Sequence, residues 1–170
     1  MARGWTCAWT ATVLATLASS AGAGEATGFR VRMVASHHAN SITRALEGAH
    51  ERLGRAECRK LFTDFADLEG RPLQQRLDAL RLDGQQFLRY VGFYEGFGHK
   101  RCADARVMAF TQPGSLAVRV CPDVARRDRE TVELILIHEM LHSLGLGERP
   151  PSSGEITAQV TRRCGGRGSR

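Results

Sequence analysis

The chain has 170 residues, 42% hydrophobic and 25% charged, with a formal net charge of +6. That length suits one domain, and the apolar content is enough for a core, which argues against a disordered or fibrous chain. The basic excess gathers near the C-terminus at Arg162, Arg163, Arg167 and Arg170 and is interleaved with acids elsewhere, so it reads as solvated surface and not as a nucleic-acid interface, and no segment is long and apolar enough to span a membrane.

Residues 1–23 read as a secretory signal peptide. Arg3 supplies a positive start, Trp5 to Ala18 is a short apolar run, and Ala21-Gly22-Ala23 offers a small-x-small cleavage site. Cys7 would leave with it. The expected organisation is a domain over 24–164 and a disordered basic tail over 165–170, in a protein secreted or delivered to a periplasm. Cys58, Cys102, Cys121 and Cys164 would then remain, with no C-x-x-C pair among them. An even count in an exported chain predicts two disulfides, and three pairings stay open.

From Ser41 to about Ala66 the spacing predicts helix. Ser41 can cap it, and Ala45, Leu46, Ala49, Leu53 and Ala56 recur near helical spacing. Leu61, Phe62 and Phe65 extend the stripe. His37, His38 and His50 read as solvated histidines. Pro72 at a first helical position opens another helix, with Leu73, Leu77 and Leu80 inward. Asp83-Gly84 predicts a turn, and the aromatic and branched run from Gln86 to Tyr94 a strand. Tyr90, Tyr94 and His99 could touch a substrate, though packing explains them as well. Arg106–Thr111 and Leu116–Cys121 predict a hairpin, joined by Pro113-Gly114, the chemistry of a type II turn.

A buried helix follows. Asp128 is its N-cap, Glu130 and Glu133 suit its first turns, and Val132, Leu134, Ile135, Leu136 and Ile137 are apolar almost all round. It carries His138-Glu139-Met140-Leu141-His142. Residues four apart share a helix face, so the two imidazoles can grip one ion. Glu139 can reach a metal-bound water without being a ligand. Gly145 can take the left-handed position after the helix. The only acids further on are Glu148 and Glu155, and no histidine or aspartate follows His142. Ser152-Ser153-Gly154-Glu155 reads as a capping box, which favours Glu148 as third ligand and leaves Glu155 as the alternative. Ile156, Val160 and Cys164 then form the inward stripe of a last helix.

The stretch H-E-x-x-H-x-x-G-x-x-E from His138 to Glu148 resembles the extended zinc signature of the metzincin metallopeptidases, with glutamate where that family has histidine or aspartate. No methionine follows Glu148, so the family's methionine turn has no counterpart. A glutamate ligand at Glu155 would be similar to the gluzincin arrangement. The cysteine-bearing strand that leads into Ile137-His138-Glu139 resembles the aspzincins (the deuterolysin-type peptidases), without their G-T-x-x-D context. The zincin resemblance implies an α+β fold, with N-terminal helices, a small antiparallel sheet before a buried active-site helix, and a C-terminal helix tied by a disulfide. It implies a Zn2+ site at His138, His142 and Glu148, with Glu139 as general base. The expected function is an exported monomeric metallopeptidase acting on peptides or proteins. The alternative is a secreted non-catalytic binding protein with a degenerate zincin fold.

Overall fold

A computed structural model describes Met1 and residues 28–166. Apart from Met1, the expected signal peptide lies outside the described residues, as do 167–170. The elements in order are β1 (Arg30–Arg32), α1 (Ser36–Leu53), α2 (Ala56–Arg59), α3 (Leu61–Asp64), α4 (Leu73–Leu80), α5 (Gly84–Tyr90), β2 (Gly92–Glu95), β3 (Ala109–Phe110), β4 (Ala117–Val120), α6 (Arg129–Ser143) and α7 (Ser153–Cys164).

The chain combines helices with a small sheet, but the sheet is mixed, not antiparallel. Its order is β1-β2-β4-β3. β2 runs parallel to both β1 and β4, and only the short hairpin of β3 and β4 is antiparallel. The parallel neighbours are far apart in sequence, so hairpin chemistry could not announce them. In the predicted turn Gly114 takes φ 80° and Ser115 N donates to Gln112 O at 2.9 Å. The strand predicted over 106–111 shortens to Ala109–Phe110.

The run predicted as a strand from Gln86 is helix α5 as far as Tyr90, and only Gly92–Glu95 is extended. Asp83 is not a simple turn residue but the N-cap. Its carboxylate accepts from Gln86 N at 2.7 Å, while Gln86 Oε1 accepts from Asp83 N at 2.9 Å. That reciprocal cap outweighs the β-propensity of Phe87 and Tyr90. The predicted first helix divides into α1, α2 and α3, and α1 begins at Ser36, five residues before Ser41. Leu73 and Leu77 are buried, but Leu80 is 47% exposed, because α4 ends there and Arg81 turns left-handed at φ 55°. Pro72 sits one place earlier than expected, at the N-cap.

The core lies between the sheet and the helices. Leu46, Ala49 and Leu53 of α1 meet a shared interior with Leu136, Ile137, Met140 and Leu141 of α6 and Phe93 of β2. Two disulfides close it, Cys58–Cys164 and Cys102–Cys121, which is consistent with an oxidising compartment outside the cytosol. No helix among the described residues is long and apolar enough to cross a membrane.

One buried ion cluster joins α1, α6 and the C-terminal end. Arg52 Nε donates to Glu133 Oε2 at 2.6 Å, and Arg129 Nε donates to Glu133 Oε1 at 2.8 Å. Arg52 Nη1 also donates to Cys164 O at 2.6 Å and to Gly166 O at 3.1 Å, and Gly166 N donates to Glu130 Oε1 at 2.9 Å. The first two residues of the basic tail, Gly165 and Gly166, are therefore tied to the body. Gly48 makes room for this cluster: a Cβ there would collide with Glu133 Oε1. Gly48→Ala must displace the Glu133 carboxylate from between Arg129 and Arg52, and the expected loss is about 1–3 kcal/mol. Urea unfolding measures it, and an unchanged midpoint would contradict the assignment.

Candidate metal centre

Asp128 starts α6, accepting from Thr131 N at 2.9 Å, and the helix ends so that His138 and His142 stand one turn apart above the sheet. Leu144 is the C-cap. Gly145, at φ 110°, then reverses the chain in a conformation that favours glycine. The reversed segment is fixed from both sides. Leu68 N donates to Gly145 O at 3.2 Å, and Leu146 is fully buried. Glu148 is thereby returned towards the histidines.

The ligand-capable atoms of His138, His142 and Glu148 all lie within 4.8 Å of one another. His138 Nε2 and His142 Nε2 are 3.0 Å apart, and Glu148 Oε1 is 3.4 Å from His142 Nε2. The outer ring nitrogens are oriented too. His142 Nδ1 lies 2.7 Å from Leu146 O. A carbonyl only accepts, so Nδ1 carries the proton and neutral His142 presents a bare Nε2 inward. His138 Nδ1 lies 3.1 Å from Thr157 Oγ1 on α7. That hydroxyl can donate or accept, so it can support a bare Nε2 on His138 as well.

The electrostatics suit a cation. Burial, reinforced by His142, pushes His138 down to about 3, so its lone pair is free at neutral pH. Burial first, and then the Glu148 charge, push Glu139 up to about 8, while Arg101 and the Thr111 backbone N–H act the other way. Glu139 Oε2 is buried without a hydrogen-bond partner among the described residues, a costly condition for a carboxyl group. A divalent cation beside it would offset the burial. The donor set of two imidazoles and one carboxylate fits zinc.

Glu155 does not join this group. Its Oε2 accepts from Ser152 N at 2.8 Å and from Ser152 Oγ at 2.7 Å, the capping box expected at the start of α7. His37, His38 and His50 also stay away. His38 Nδ1 lies 3.9 Å from Glu95 Oε1, and His50 meets Gln85. Tyr90 lies under Arg30 and Tyr94 under Arg119. None of these lines the main cleft.

That cleft has a volume of about 920 Å³, with Glu139, the two histidines and Glu148 in its lining. Ala109 and Phe110 of β3 form one wall, and Leu134 and Ile135 of α6 contribute apolar surface. The β3–β4 turn is tied to α6, because Gly114 N donates to His142 O at 2.8 Å. Thr157, Leu146 O and Arg101 were not foreseeable as participants. Each reaches the site through the fold, and no motif marks them.

Comparisons with protein-family models, curated proteins and solved structures return no match to this chain.

Proposed function

We propose that this chain is an exported zinc-dependent peptidase. One observation carries the reading: three ligand-capable atoms of His138, His142 and Glu148 converge within 4.8 Å, beside the unpartnered carboxyl oxygen of Glu139, in the lining of an open cleft. His138, His142 and Glu148 would hold zinc. When bound, zinc supplies an acidified water and a polarised carbonyl.

The chain's own groups do the rest. Glu139 accepts the proton of the attacking water at its free oxygen and delivers it to the leaving amine. The water oxygen bonds to the carbonyl carbon and the amide C–N bond breaks. Thr157 and Leu146 O hold the two imidazoles in tautomers that face the cluster. β3 is the edge of the sheet, so its outer backbone groups can align an extended peptide by strand addition.

The test is metal content, measured on the purified protein after zinc reconstitution. The expectation is one zinc per chain, lost in His142→Ala and weakened by roughly 10-fold or more in Glu148→Ala, since a ligand matters at least as much as the groups that orient it. Zinc retained in His142→Ala would refute the site. No zinc in the parent protein would put a non-catalytic binding protein in front.

A further inference from the structure

We propose that Arg101, beside Lys100, forms an anion subsite in the cleft that selects an acidic side chain in the peptide. The inference rests on the peptidase reading and specifies its substrate class. Lys100, Arg101, Arg106 and Arg127 all line the same cleft as the histidines. They differ in what already satisfies them. Arg106 is taken: its Nε and Nη2 donate to the Asp104 carboxylate at 3.0 and 2.8 Å. Among the described residues no carboxylate lies within ion-pair distance of Lys100, Arg101 or Arg127.

Arg101 is also held in place. Its guanidinium carbon lies 5.4 Å from the centroid of the Phe110 ring, and the His99 ring lies 4.6 Å from the same centroid. Arg101 N donates to His99 Nδ1 at 3.2 Å, closing a short 3-10 turn over Lys100–Ala103. The next residue, Cys102, is bonded to Cys121 just after β4. A surface arginine normally loses much side-chain freedom on binding. Here stacking and the cross-linked turn have already restricted it, so a carboxylate can be met at lower entropic cost.

The position relative to β3 identifies the occupant as a peptide. Phe110, on which Arg101 rests, belongs to the edge strand, whose only partner among the described residues is β4. A peptide added to that edge sends alternate side chains past Phe110. An acidic one meets a planar fork of donors suited to two-point recognition of a carboxylate.

Binding is measured with the zinc-loaded Glu139→Gln protein, which cannot confuse affinity with turnover. The probes are labelled hexapeptides with glutamate or glutamine at one position in turn, and a uronic-acid oligosaccharide. At one or more positions glutamate should bind about tenfold tighter than glutamine. Arg101→Gln should abolish that preference and Arg106→Gln should keep it. Equal binding, no binding, or a preference that survives Arg101→Gln overturns the subsite. Tighter binding of the oligosaccharide than of any peptide overturns the peptide assignment. Cleavage by the parent enzyme is followed separately. Selective binding without cleavage sinks the peptidase reading and leaves the subsite standing, whereas cleavage without acid preference does the reverse.

Discussion

On the proposed reading, Glu139→Gln protein should retain the zinc of the parent and hydrolyse peptides about 10²- to 10⁴-fold more slowly, the range for losing a positioned proton-transfer group. Glutamine has the same shape and cannot accept the proton, so kcat falls while metal content holds. Parent-level cleavage in this variant would end the mechanism. The metal-free proteins differ in a second way. The Glu139 carboxyl is raised from 4.5 to about 8 in the folded state. Between those values the native protein keeps a proton that the unfolded chain releases, so native stability falls as the pH rises through that window. The penalty is absent below it and complete above it. The difference in unfolding free energy between variant and parent, both stripped of zinc, should therefore grow from pH 5 to pH 8 in favour of the variant. A constant difference would mean that burial does not perturb this carboxyl.

Replacing Cys58 and Cys164 together by alanine costs roughly 3–5 kcal/mol, because the bridge closes a loop of 106 residues and restricts the unfolded chain accordingly. The bridge joins α2 to the end of α7. Its loss frees the helix that carries Thr157, so zinc affinity should fall along with stability. Guanidinium unfolding and zinc competition measure the two effects. A bridge that matters only to the unfolded state would lower stability and leave affinity alone. The other bridge, Cys102–Cys121, spans 19 residues, and the same entropy argument assigns it a smaller share.

Local chemistry was the legible part of this chain. Asp128 and Ser152 cap α6 and α7 as their sequence context implies, and Gly145 takes the positive φ that its position after an apolar helix demands. The spacing of His138 and His142 follows from helix geometry alone. Glu148 could be named from its slot in the H-E-x-x-H-x-x-G-x-x-E spacing and from the capping role of Glu155, but not placed. What returns it is a loop held by Leu68 and Leu146, contacts that no periodicity encodes. The sheet was the least legible element. β1 has three residues and β3 two, too few for alternation to stand out, and the parallel pairing of β2 depends on crossovers that bring distant segments together. At Gln86 the error had a readable cause: the Asp83 and Gln86 pair was the stronger signal, and the aromatic content of the segment hid it.

The carbonyl of His142 has a consequence beyond holding a turn. It receives the N–H of Gly114 at 2.8 Å and the N–H of Gly145 at the same distance. One oxygen thus anchors the hairpin tip on one side and the chain reversal towards Glu148 on the other, on the residue whose ring faces the cluster. Strand edge, α6 and return loop share a single datum, as machined parts share a reference surface. The surface turn Gln112–Ser115 consequently lacks the freedom of an ordinary connector. Its length sets how far β3 stands from His142, and lengthening it would move the wall of the cleft relative to its floor.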